Sequence, residues 1–123
     1  MIMKIKRSIT VRTEFAALDR YKDAPEEVSF LRNLHRHCFK VSVSLDVKNS
    51  DRELEFFMVQ TRVEDIIRVI LNACEYENDL PIIGSCEDMA EKIALTASSI
   101  YERSVGCMVS EDGENSAEVY IRI

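Results

Sequence analysis

Residues 34–47 read Leu34-His35-Arg36-His37-Cys38-Phe39-Lys40-Val41-Ser42-Val43-Ser44-Leu45-Asp46-Val47, and this stretch decides the fold. Phe39, Val41, Val43, Leu45 and Val47 alternate with Lys40, Ser42, Ser44 and Asp46. Side chains on a strand change face with a period of two, so the pattern predicts a strand over 37–47 with one face buried and the other in water. The same period sends His35 and His37, the two histidines of the chain, to one side, where they can close on one metal ion or one ligand. Such a pair also arises by chance, and two ligands are fewer than the three or four that zinc sites use.

The pattern extends outward in both directions. Over residues 2–15, Met3, Ile5, Ile9, Val11 and Phe15 alternate with Lys4, Lys6, Ser8, Thr10 and Arg12, which predicts a second half-buried strand. Asn49 to Glu53 forms the turn that ends the 37–47 strand. Val63, Ile66, Ile67, Ile70, Leu71 and Cys74 recur at three and four residues, predicting an amphipathic helix over 62–75. A second helix over 85–102 begins at Ser85, with Asp88 three residues on as in a capping box, and carries Met89, Ile93, Ala97, Ile100 and Tyr101 on one stripe. The linker from Glu77 to Gly84 is too short for a domain boundary. Val105, Cys107 and Val109, then Ala117, Val119, Ile121 and Ile123, alternate on either side of Asp112-Gly113, predicting a closing hairpin. The order strand, strand, helix, helix, strand, strand predicts one α+β domain over residues 1–123. A four-stranded antiparallel sheet would carry both helices on one face.

Composition narrows the function. With 46% hydrophobic and 31% charged residues the chain reads as soluble and globular. A net charge of −6 and a pI near 5.0 argue against nucleic acid as a partner, because phosphate binding needs clustered Lys and Arg. The one basic cluster, Lys4, Lys6 and Arg7, suits a solvated strand edge. No stretch has the length of a membrane helix or the form of a signal peptide, so a cytoplasmic protein with no membrane partner is expected. Cys38, Cys74, Cys86 and Cys107 form no C-x-x-C pair and read as reduced, mostly buried thiols.

The order and spacing of several short motifs resemble the tunnelling-fold enzymes of the 6-pyruvoyltetrahydropterin synthase type, including the 6-carboxytetrahydropterin synthases of queuosine biosynthesis. Phe15-Ala16-Ala17-Leu18-Asp19-Arg20 stands where that family has a phenylalanine-led segment ending in His-Arg. Leu34-His35-Arg36-His37 stands for Leu-His-Gly-His, and Gly84-Ser85-Cys86-Glu87-Asp88-Met89-Ala90 for a Pro-Thr-x-Glu-Asn-x-Ala helix start. Ser110-Glu111 followed by Asn115-Ser116-Ala117-Glu118 is close to the family's Glu-Thr…Asn-Ser-Ala-Glu ending.

The resemblance implies a subunit whose four strands join those of neighbours, three closing a twelve-stranded barrel and two rings stacking as a hexamer. It implies a zinc lyase with its pterin or purine-like ligand held between subunits. His35 and His37 fall on two of the family's three zinc histidines and Asp19 on the third, which makes a two-histidine, one-carboxylate set; Glu111 falls on the glutamate that anchors the pterin ring. The proton-transfer residues depart from the pattern. Leu31 stands at the family's cysteine, and no histidine follows His37; Asn72 to Asp79 occupies the region of the partner histidine. General acid–base work needs groups that titrate near neutrality, so two expectations stand side by side. One is a diverged pterin synthase or lyase, and the other is a non-catalytic oligomeric binding or structural protein, a pseudoenzyme on the same fold. Cys38 points away from the two histidines on a strand, and the helical pattern of Cys74 makes it core.

Overall fold

The computed structural model describes residues 1–123. Strand β1 (Arg7–Asp19) runs through a 3₁₀ helix (Glu26–Arg32) to strand β2 (His35–Val47), the long alternating segment. Helix α1 (Phe56–Asn72), a short hairpin of β3 (Tyr76–Glu77) and β4 (Leu80–Pro81), and helix α2 (Cys86–Tyr101) follow. Strands β5 (Val105–Glu111) and β6 (Ser116–Ile121) close the chain. The main sheet is antiparallel in the order β1-β2-β5-β6, so β1 and β6 are its edges, with Leu18 at the end of β1 bridging to Ile82.

The alternation in the sequence becomes a division of faces. Val11, Ala17, Phe39, Val41, Val43, Leu45, Val105, Cys107 and Val109 are buried against the helices. From α1 the core receives Val59, Val63, Ile66 and Ile67, and from α2 Met89, Ala90, Ile93, Ala94 and Ala97. Both helices therefore cover one face of the sheet, and burying this apolar area is the main source of stability. The other face is polar; there Thr10 and Ser44 share a hydroxyl hydrogen bond of 2.8 Å across β1 and β2.

Several boundaries differ from those read in the sequence. The first strand starts at Arg7 rather than residue 2, because β2 ends at Val47 opposite Arg7 and leaves residues 1–6 without a partner. It also continues past residue 15 to Asp19, paired as far as His35. Helix α1 starts at Phe56, six residues before the amphipathic stripe, because the Glu55 carboxylate accepts the backbone N–H groups of Phe57 and Met58. It ends at Asn72 rather than at residue 75. Phe56, Phe57 and Met58 stay exposed on the first turn, so they added nothing to the helical periodicity. The 77–84 linker folds into the β3–β4 hairpin through Asn78 and Asp79, both at positive φ as a two-residue turn requires. Ser85 does cap α2, its Oγ accepting the Asp88 N–H at 3.1 Å.

Below the sheet, Glu53 ties three segments together. Its carboxylate accepts the N–H groups of Lys48 and Asn49 at 2.9 Å each and the Arg103 guanidinium at 2.5 Å. The amide of Asn49, then Arg103 and Lys48, hold its pKa at about 2 against the ordinary 4.5. The depressed value means that the ionised form stabilises the fold. That contribution is complete above about pH 5 and disappears as the pH falls through the folded pKa. A Glu53→Gln protein is expected to be less stable at neutral pH and to lose less stability on acidification toward pH 2 than the parent. Urea unfolding midpoints compared at about pH 7 and pH 3 check this, and parallel pH dependence in the two proteins would contradict it.

Candidate metal centre

The β1–β2 register builds the site. Asp19 lies directly opposite His35, and Ala17 lies opposite His37, so Asp19, His35 and His37 project from one face at one end of the sheet. Their nearest ligating atoms all lie within 4.8 Å of one another. The rings of His35 and His37 meet edge to face at 4.9 Å, and His37 rests edge-on against the buried Phe39 ring at 5.8 Å.

Hydrogen bonds on the far side of each ring decide which nitrogens face inward. Nδ1 of His35 lies 2.8 Å from the Asn33 carbonyl, which can only accept, so Nδ1 carries the proton. Nδ1 of His37 lies 2.6 Å from Oδ2 of Asp112. The Cys38 amide, with the His37 imidazole beside it, keeps the Asp112 carboxyl below the usual carboxylate range, so it also accepts. In their neutral forms both histidines therefore turn a bare Nε2 lone pair toward the centre of the cluster.

Asp19 supplies the third inward group of the cluster. The residue is 8% exposed, and its Oδ1 is fully buried and accepts no hydrogen bond. Oδ1 nevertheless lies 2.8 Å from Nε2 of His35. With the His35 proton on Nδ1, this is a contact between two lone-pair atoms, and it becomes favourable when a positive charge lies between or beside them. Burial raises the Asp19 pKa, helped by Glu111 and opposed by the two histidines. Burial works against a charged His37, but its hydrogen bond to Asp112 and the charges of Glu111, Asp112 and Asp19 outweigh that and raise its pKa.

This donor set fits a zinc ion. Two imidazole Nε2 atoms and a carboxylate oxygen are ordinary zinc ligands, and each imidazole has its other nitrogen held by an acceptor, as metal-bound histidines do. Ligand atoms on a tetrahedral zinc stand about 3.3 Å apart for bonds of about 2.0–2.2 Å, and the separations here bracket that spacing.

The remaining sequence candidates divide. Glu111 ends β5 opposite Phe39 and brings Oε2 to 3.6 Å from His37 Nε2, so it borders the cluster with its side chain 38% exposed. Cys38 lies on the other face, donating from Sγ to Oε2 of Glu14 at 2.8 Å. Leu31 sits in the 3₁₀ helix, and Cys74, just past α1, donates to the Ile70 carbonyl at 3.5 Å. Sequence reading missed Asp112, which it took only as a turn residue, while Cys86 is the buried free thiol it expected. Burial, with Glu111 and Asp19 adding to it, pushes the Cys86 thiol up to about 11. Two surface grooves of about 750 and 760 Å³ lie around Arg7, Val47 and Asn49, at the other end of the sheet, and no residue of the cluster lines them. No helix is long and apolar enough to cross a membrane.

No protein-family model matches this chain, and no curated protein matches it by sequence. Its structure is similar to solved ones. The 6-pyruvoyl tetrahydropterin synthase of Plasmodium falciparum superposes with a TM-score of 0.59 at 15% identity, over 98% of this chain and 100% of that one. The 6-pyruvoyl tetrahydropterin synthase of Plasmodium vivax gives 0.58 at 16% identity, over 98% and 100%. An uncharacterized protein of Wolinella succinogenes gives 0.63 at 13% identity, over 95% and 99%. The α+β arrangement here, with its unclosed four-stranded sheet, is the tunnelling fold of those synthase structures.

Proposed function

We propose that this chain, built on the fold of the 6-pyruvoyltetrahydropterin synthases, is a diverged member of that type. In this reading it holds zinc at Asp19, His35 and His37 and binds a pterin or purine-like ligand against Glu111. The observation that carries the reading is the buried Asp19 Oδ1 facing two inward Nε2 atoms without a donor. Zinc held there would supply a Lewis acid beside the ligand, able to polarise a side-chain oxygen. Asp19 would balance part of the charge, and His37 would be held in place by Asp112. Glu111 would accept hydrogen bonds from the ring nitrogen and amino group of the ligand, a charge-assisted pairing suited to a closed pocket.

The chain works in this reading as one domain over 1–123, in the cytoplasm, as a trimer or hexamer. The β6 edge and the part of the β1 edge before Leu18 support assembly, since joining them to neighbours would close the sheet. The cluster lies at one end of the sheet away from the two large grooves, which favours a ligand pocket completed by a neighbouring subunit.

Chemistry on the ligand would need a proton donor or acceptor beside it. Beside the cluster stand carboxylates, the two histidines that this reading takes as ligands, and the Cys86 thiol, which burial pushes up to about 11. Burial holds the Cys86 thiol too high for general acid–base work near neutrality, and this reading commits both histidines to the metal. The position of Leu31 and the absence of a histidine after His37 favour the second reading, a ligand-binding protein without turnover.

Titration of the zinc-loaded protein with dihydroneopterin triphosphate, followed by product analysis, tests both readings. Binding without turnover is expected. A Glu111→Gln substitution should weaken binding by about 1.5–3 kcal/mol, the worth of a hydrogen bond to a charged group, with zinc content unchanged. Equal pterin affinity in the two proteins would remove Glu111 from the site.

A further inference from the structure

Asp112 stands in the turn between β5 and β6 at φ 55°, followed by Gly113 at φ 77°. This left-handed pair is the backbone that an Asp-Gly turn favours. The turn also continues the β2–β5 ladder by one step, because the Asp112 N–H donates to the Cys38 carbonyl at 2.8 Å. The reciprocal bond goes to the side chain instead of the backbone: the Cys38 N–H donates to Oδ1 of Asp112 at 2.9 Å. One carboxylate oxygen thus acts as a ladder acceptor, and the other, Oδ2, is carried to 2.6 Å from Nδ1 of His37. Two backbone bonds hold Asp112 in place before His37 is considered. Its carboxylate is a fixed acceptor aimed at one ring nitrogen of a candidate metal ligand.

The geometry assigns Asp112 as the positioning residue that locks His37 in the Nδ1–H tautomer and so keeps its Nε2 free for a metal ion. The assignment rests on the proposed zinc centre for its purpose, although the tautomer lock itself can be tested without metal. His35 is held by a backbone carbonyl, which no side-chain substitution can remove. His37 depends on a side chain 75 positions away, which makes it the adjustable half of the pair. An outer carboxylate of this kind fixes ring orientation and strengthens the imidazole as a donor, and its loss costs about 10–100-fold in metal affinity.

The informative substitution is Asp112→Asn. The asparagine oxygen can still accept the Cys38 N–H, and its NH₂ group then faces His37 Nδ1. A donor in that place favours the opposite tautomer, with the proton on Nε2 where the metal would bind. Two readouts are taken on parent and variant. Long-range ¹H–¹⁵N NMR of metal-free protein, at a pH where the ring is neutral, reports the His37 tautomer. Competition with a chromophoric chelator reports Zn²⁺ affinity. We expect Nδ1–H in the parent, Nε2–H in the variant, and a Zn²⁺ affinity lower by about 10–100-fold in the variant. An Asp112→Ala protein that binds zinc more tightly than the Asp112→Asn protein would support the lock, since alanine removes the acceptor without presenting a donor. The same tautomer in parent and Asp112→Asn, or Zn²⁺ affinity equal within about twofold, overturns the assignment. If the parent binds no zinc but its tautomer flips on substitution, the lock stands and the metal reading fails.

Discussion

A His37→Ala protein is expected to bind Zn²⁺ at least about 100-fold more weakly than the parent, with its secondary structure unchanged. The lower bound follows from the chemistry of the site. Loss of an outer hydrogen-bond partner alone costs about 10–100-fold, and this change deletes a proposed ligand atom itself. His37 is 21% exposed on the side chain and lies at the end of the sheet, so its removal opens little of the core. The loss also strands Asp112, whose Oδ2 would turn to water while Oδ1 keeps the Cys38 N–H. Circular dichroism checks the fold, and chelator competition measures the affinity. A change below about threefold would mean that His37 does not ligate the ion.

The largest expected effect on stability is at Phe39. Its ring is fully buried, lies opposite Phe15 on β1 and Glu111 on β5, stacks on Phe15 at 5.4 Å, and meets the edge of His37 at 5.8 Å. Phe39→Ala should cost about 3–5 kcal/mol, combining the lost transfer free energy of the ring with the cavity left between two strands and the helices. Phe30 is 71% exposed, and Phe30→Ala should change stability by less than about 0.5 kcal/mol. Urea unfolding measures both. A Phe39→Ala cost below about 1.5 kcal/mol would show that the site end of the sheet repacks freely. Because Phe39 also supports the His37 ring, the same variant should lose part of its zinc affinity even where it remains folded.

The parts of this structure that were legible in the sequence are those set by local periodicity. A period of two in β2 placed His35 and His37 on one face and Cys38 on the other, and the Ser85 cap located the start of α2. Helix α1 was legible only along its buried stripe. Its first turn, Phe56 to Met58, is exposed, and Glu55 holds it as an N-cap that does not follow the usual Ser, Thr, Asp or Asn pattern. Residues 2–6 alternate as well as any strand, yet pairing is a property of two segments, and β2 is too short to reach them. At the site, Asp19 came into view through its place in the Phe15–Arg20 motif, since nothing local sets which residue of β1 faces His35. Asp112 was hidden for the same reason. Its role depends on a turn geometry that carries it across to a strand far away in sequence.

Elemental analysis of the purified protein after dialysis against metal-free buffer is the most direct measurement of the proposed zinc at Asp19, His35 and His37. About one zinc per chain is predicted, with most of it lost in His35→Ala and His37→Ala. Less than a tenth of an equivalent in the parent after zinc is offered and excess removed, unchanged by either substitution, would rule out a zinc centre at these residues.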